Sequence, residues 1–271
     1  MNNQDFWADI KSIINGGFTA NGLAKLESYA EQFISKRLVY QRFSPAEQYG
    51  CAAGGSTNVI ASLLAGAEIA ANCGNSQSFS SFKAELECGA KQEKYIEGWA
   101  KVCGCWTDDV DKFLAGSLGN EIAEGGEAKV FDHGATLVKS IGLDYFVQPA
   151  LALDRIALHN TYFAETRLTV IGFGRDSNQK FKIVAEQPFV EGSHLSDNEI
   201  ATFAQSIGFK LINPKNWTYA TPEIYLSDLH DENVIRSKEG NIFVVDCDIR
   251  INTPELKCGG VRTLTTDVEF I

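Results

Sequence analysis

Three oxygen-bearing side chains late in the chain, Asp228, Asn233 and Asp246, stand at intervals that suit phosphoryl transfer. Asp228 and Asn233 lie five residues apart within Tyr225-Leu-Ser-Asp-Leu-His-Asp-Glu-Asn-Val-Ile235. Asp246 follows the apolar run Ile242-Phe-Val-Val245, thirteen residues beyond Asn233. Such chemistry asks for a carboxylate to orient an attacking hydroxyl and for hard oxygen ligands to hold Mg²⁺ against nucleotide phosphates. A solvated acidic turn also uses Asp and Asn, but it gives no reason for a further Asp at the end of an apolar run. His230 reads as a hydrogen-bonded organiser of the loop rather than a proton carrier.

A phosphate-handling side is present upstream. In Gly125-Gly-Glu-Ala-Lys-Val-Phe131 the pair Gly125 and Gly126 lets backbone approach a phosphate without a Cβ in the way, and Val130 is placed to cover a base. Lys139, ending Thr136-Leu-Val-Lys139, is the candidate clamp for the α- and β-phosphates. Its candidate acidic partner is Asp154, fifteen residues on, whereas the neighbouring Arg155 cannot serve as one. Ala185, Glu186, Pro188 and Phe189 form the candidate adenine contacts, with Glu186-Gln-Pro-Phe189 as a hinge. If the Glu186 carbonyl accepts from adenine, the usual donor position falls on Pro188, which has no N–H. Either Phe189 donates instead, or one hydrogen bond and apolar packing hold the base.

These groups need elements to carry them. Residues 1 to about 118 read as helical: Phe6, Ile10, Ile13 and Ile14 share one face, and Leu23, Leu26, Ala30 and Phe33 another. Further helices are expected over Val59–Asn72 and Phe79–Val102, the latter with Phe82, Leu86, Ile96 and Trp99 inward. Gly104 and Thr107-Asp-Asp109 should end that helix and cap the next. Near Gly119 the texture changes to strands: Ala128–Phe131, Thr136–Lys139, Arg167–Phe173 and Phe181–Glu186, with turns at Gly134-Ala135 and Arg175–Asn178. A helix over Gln148–Tyr162 interrupts them, with Pro149 suited to its first turn. The expected class is α+β, with a helical region at 1–118 and a second domain at 119–271. That domain divides into an antiparallel-sheet small lobe, 119–190, and a larger-lobe remnant, 191–271.

The chain of 271 residues can bury a substantial core, and its formal charge of -11 argues against nucleic acid held by phosphate contacts. The N-terminus lacks the basic and apolar regions of a signal peptide, and Cys51–Cys73 is too interrupted to span a membrane. Seven cysteines, with one close pair at Cys103 and Cys105, fit buried free thiols in a reducing cytoplasm better than a zinc site.

With these motifs in order, residues about 120 to 250 resemble the serine/threonine/tyrosine kinase domain of polyvalent proteins of phages and other mobile elements. The shared pattern runs from Gly-Gly-Glu-Ala128 through Val138-Lys139 and Leu153-Asp-Arg-Ile-Ala-Leu-His-Asn160. It continues through Glu186-Gln-Pro-Phe189 to Asp228-Leu-His-Asp-Glu-Asn233 and Val245-Asp246. Tyr49–Asn58 is similar to a leader that accompanies such domains. The resemblance implies a protein-kinase-like fold, ATP and Mg²⁺ as cofactors, and transfer to a hydroxyl of a protein or small molecule. It implies Asp228 as catalytic base, Lys139 with Asp154 as the ion pair, and Asn233 and Asp246 as metal ligands. Asp248 is either an additional ligand or a loop-stabilising carboxylate. Leu226-Ser227 stands where such kinases place His-Arg or His-Gly, and Cys247-Asp248 where many place Phe-Gly. Thr253-Pro-Glu255 looks like the end of an activation segment, but it arrives early. Only 25 residues follow Asp246, so a truncated large lobe is expected, with 1–118 packed against it. The alternatives are a nucleotide-binding pseudokinase that engages a partner, and a structural module whose acidic loop is only a turn.

Overall fold

The computed structural model describes residues 3–40, 55–73 and 81–252. The leader residues 49–54, Cys51, Cys258 and Thr253-Pro-Glu255 lie outside them. Among the described residues there are seven α-helices and three sheets, a mixed α+β arrangement. No described helix is long and apolar enough to cross a membrane. The described chain forms two compact units, one holding residues up to Asp154 and Thr169–Gln187, the other Arg155–Leu168 and residues from Pro188 onward.

In the first unit four helices come first: α1 (Asn3–Asn15), α2 (Ala20–Tyr40), α3 (Gly55–Cys73) and α4 (Phe82–Cys103). Phe6, Ile10 and Ile13 of α1 and Leu26 and Ala30 of α2 are buried as their spacing requires, while Ile14 and Leu23 are half-buried. Helix α3 is apolar nearly all round, because α1, α2, α4 and a strand of the sheet pack against it. Its buried Glu68 is compensated by Lys11, by Lys91 at 3.0 Å and by the Tyr95 hydroxyl at 2.8 Å. Helix α4 starts on Ser81, whose Oγ accepts from the Ala84 amide, and stops at Gly104 in the left-handed region. Ile96 and Trp99 point inward, but Phe82 and Leu86 do not: both are exposed. Among the described cysteines Cys88 and Cys247 are buried, whereas Cys103 is exposed.

A strand follows where only helix was expected. β1 (Trp106–Thr107) runs parallel to β5 (Thr169–Arg175) and extends the edge of a six-stranded sheet. Helix α5 (Val110–Leu118), capped by Asp109, then packs Val110 and Leu114 onto Phe131, Val138 and Val184. The remaining strands are β2 (Glu121–Glu124), β3 (Ala128–His133), β4 (Thr136–Gly142) and β6 (Phe181–Pro188), in the order β1-β5-β6-β4-β3-β2. The β2–β3, β3–β4 and β5–β6 pairs are antiparallel. The partner of the helical region within this unit is therefore the sheet. Helix α6 (Pro149–Tyr162) sits between β4 and β5 in sequence.

The second unit has β7 (Gly192–His194), α7 (Asp197–Ser206), β8 (Lys210–Asn213), β9 (Thr218–Ala220), β10 (Ile224–Ser227), β11 (Val234–Ser237), β12 (Ile242–Val244) and β13 (Asp248–Ile251). They form a four-stranded sheet, β13-β10-β9-β8, and a three-stranded one, β12-β11-β7. Helix α7 opens on a reciprocal cap in which Ser196 and Glu199 exchange bonds.

Candidate functional site

Strand β10 buries Ile224 and Leu226, and Leu229 just beyond it is fully buried. Those anchors leave Asp228 outside, with its carboxylate mostly exposed and its backbone at φ 62°, in the left-handed region that Asp tolerates better than most residues. His230 caps a single 3-10 turn, Asp231–Asn233, by accepting from the Glu232 amide at 3.3 Å. The Asn233 side-chain amide closes the loop. Its Nδ2 donates to the Asp228 carbonyl at 2.8 Å and lies 3.4 Å from Asp228 Oδ2 and 3.1 Å from His230 Nε2. Asp228 and Asn233 are thus neighbours in space as well as in pattern.

Asp246 joins them through a hairpin. Strands β11 and β12 pair with Val234 opposite Val244, and the Val245 amide donates to the Asn233 carbonyl at 2.9 Å. The residues at that hairpin end, Asn233 and Asp246, are therefore one backbone bond and one residue apart. Asp246 Oδ1 accepts from the Cys247 amide at 2.9 Å and from Arg155 Nη2 at 2.7 Å, and Arg155 Nε donates to the Cys247 carbonyl at 2.8 Å. Arg155, set aside in the sequence reading because it is not acidic, is the residue that reading missed. Its signal, a basic side chain one turn before His159 on α6, is visible only once the loop is seen to reach that helix. Cys247 is buried beside His159, Sγ to Nδ1 3.7 Å. Asp248 stands opposite Ser227 in the β10–β13 ladder, and its carboxylate accepts from Ser227 Oγ at 3.1 Å and from Arg250. That engagement favours its loop-stabilising role over a ligand role.

On the first unit, Gly125 and Gly126 form the turn between β2 and β3, with the Gly125 amide donating to the Ala128 carbonyl at 2.9 Å. A Cβ at Gly126 would lie 2.7 Å from the Tyr145 hydroxyl, so this turn is backed by an aromatic ring and takes no larger residue without movement. Val130 and Lys139 are direct cross-strand partners in the β3–β4 ladder. Lys139 is buried on β4, and Asp154 is buried on α6. Ala185 is fully buried on β6, and Glu186 accepts from Thr136 Oγ1 at 2.6 Å with His133 at 3.1 Å. Pro188 ends β6, and Phe189 is exposed just past the point where the chain leaves the first unit.

The donor chemistry at the hairpin end fits Mg²⁺. With Nδ2 of Asn233 turned to the carbonyl and carboxylate oxygens of Asp228, its Oδ1 takes no hydrogen bond from the described residues. An amide oxygen and a carboxylate are both hard donors, and Mg²⁺ is ordinarily held by one or two such groups together with phosphates and water. No group of three or more His, Cys, Asp or Glu side chains is gathered for a metal among the described residues. A site completed by a nucleotide needs no such group.

Residues 89–253 match the family model described as serine/threonine/tyrosine kinase found in polyvalent proteins. No curated protein matches the chain.

Proposed function

Because the chain belongs to the serine/threonine/tyrosine kinases found in polyvalent proteins, we propose that it transfers the γ-phosphoryl group of ATP to a hydroxyl of a protein or small molecule, with Mg²⁺. The observation that carries this reading is the joint held by Asn233, whose backbone bonds the strand leading to Asp246 and whose side chain bonds Asp228. One residue thereby sets the spacing between a carboxylate able to take a proton and a carboxylate able to hold a metal.

In this reading residues 119–190 serve the nucleotide, and 191–271 supply the transfer loops. Asp228, open to solvent, accepts the hydroxyl proton and orients the attacking oxygen. Asn233 Oδ1 and Asp246 would hold Mg²⁺, which would supply positive charge against the phosphate oxygens. Lys139 clamps the α- and β-phosphates. Among the buried charged side chains of the first unit, Glu68 pairs with Lys11 and Lys91, and Asp176 lies 3.5 Å from Lys182. Lys139 and Asp154 are likewise buried, and as opposite charges taken out of water they are suited to compensate each other. The Gly125-Gly126 turn and Val130 approach the phosphates and base, while Ala185, Glu186, Pro188 and Phe189 line the adenine side.

The test is phosphoryl transfer or ATP consumption with Asp228→Ala beside the wild type. Loss of a general base should lower turnover by about 10²–10⁴-fold, and unchanged turnover would remove Asp228 from the role. The second reading, a nucleotide-binding regulator without transfer, is favoured by Leu226-Ser227 before Asp228 and by the guanidinium already on Asp246. It expects ATP·Mg²⁺ to raise the melting temperature while no phosphoryl group moves.

A further inference from the structure

We infer that Arg155 is a positioning residue for the metal-holding carboxylate of Asp246, an inference that rests on the kinase reading above. Residues 245–247 lie between β12 and β13, outside both ladders. A carboxylate on such a stretch needs its orientation set from elsewhere. The Arg155 guanidinium bonds two consecutive residues at once, Asp246 Oδ1 through Nη2 at 2.7 Å and the Cys247 carbonyl through Nε at 2.8 Å. Two directed bonds from one planar fork set both the plane of the carboxylate and the path of the backbone carrying it. The Cys247 amide grips the same Oδ1.

The fork is itself well held. Its side chain is 15% exposed against 39% for Asp246, so it is the more deeply packed partner. One helical turn further along α6, His159 lies against the buried Cys247 Sγ, so a single face of α6 supports the loop at two successive residues. A lysine at 155 would bring one point charge and no second donor in fixed relation to the first. The guanidinium has a cost, since a cation beside Asp246 opposes an arriving cation. The geometry assigns the larger share to order: the carboxylate is preset before the metal comes.

The experiment uses the full chain and reads melting temperature at saturating ATP, first with EDTA and then across a Mg²⁺ titration. In the wild type, Mg²⁺ should add stabilisation beyond that of ATP with EDTA. In Arg155→Met the ATP-with-EDTA shift should stay, while the half-point in Mg²⁺ should rise by about tenfold to a hundredfold, as for other residues that orient a metal ligand. Arg155→Lys should fall between, and it decides the matter if the methionine variant does not fold. A half-point equal to the wild type's, or lower, overturns the inference, the lower value making Arg155 a competitor of the metal. A wild type that takes no stabilisation from ATP under either condition overturns the kinase reading itself, and the inference with it.

Discussion

In the proposed kinase reading Asp228 is asked to be reactive as well as to sit in an unfavourable backbone region, and its residue type suits both demands. A left-handed conformation costs most L-residues about 1–2 kcal/mol, while Asp and Asn pay less because their short polar side chains bond locally. Asp228 at φ 62° is held from the other side by the Asn233 amide on its carbonyl. Asp228→Asn should therefore melt with the wild type while losing turnover, and Asp228→Ala should lose turnover and about 1 kcal/mol of stability as well; thermal melts beside the transfer assay check the pair. The three oxygen groups were legible in the sequence because a short loop and a tight hairpin leave little freedom between them. Arg155 was not, since its bond to Asp246 closes across 91 residues and depends on where α6 passes. Asp248 was legible only as an ambiguity, and the ladder that sets it opposite Ser227 leans to the structural side.

At the scale of elements, four strands of the first unit were readable, whereas the exposed or minimal ones there and short strands of the second unit such as β10 and β13 were not. Strand β2 is exposed at all four residues, so no alternation marks Glu121-Ile-Ala-Glu124, and β1 has only two residues in which to show a period. Helical periodicity gave α4 its inward Ile96 and Trp99, but it does not say which turns a neighbour covers, hence the exposed Phe82 and Leu86. Helix α6 depends on α4 for its start. Pro149 brings no N–H, and the next amide, Ala150, is accepted by Gln92 Oε1 at 3.0 Å, while Gln92 Nε2 donates to Gln148 Oε1 at 2.8 Å. Gln92→Leu keeps the volume and orphans both partners, so a urea melt should show a loss of about 1–3 kcal/mol for each buried group left unpaired. Helix α7 offers a test by pH. Its Glu199 carboxyl is held down to about 2, first by the Ser196 hydroxyl and then by the Ser196 amide and Arg236. A carboxylate depressed by folding stabilises fully above its unfolded value of about 4.5 and loses that contribution as pH falls toward 2. The melting-temperature gap between wild type and Glu199→Ala should accordingly be open at pH 7 and narrow over that window.

For the molecule as a whole, the helical N-terminal region is a structural part of the first unit. Gly174 shows how close the fit is: a Cβ there would stand 2.0 Å from the Thr107 carbonyl oxygen and 2.4 Å from a Val110 methyl. Gly174→Ala should thus force β1 and the start of α5 away from the sheet and cost about 1–3 kcal/mol, the scale of overpacking. A fragment of residues 111–271 should be less stable still, and a cooperative melt equal to the full chain's would contradict this. The strand order holds a consequence for synthesis. In β1-β5-β6-β4-β3-β2 the strand made last, β6, lies at the centre, between β5 and β4. While the chain emerges, β3 and β4 can form their hairpin and α1 to α5 can gather, but no strand joins the two halves of the sheet until Phe181–Pro188 has left the ribosome. Until then β4 and β5 each show an open edge to the crowded space around a nascent chain, where unpaired strands find wrong partners. The central strand acts as a late keystone, and the time needed to make it is the interval in which this protein most needs a chaperone.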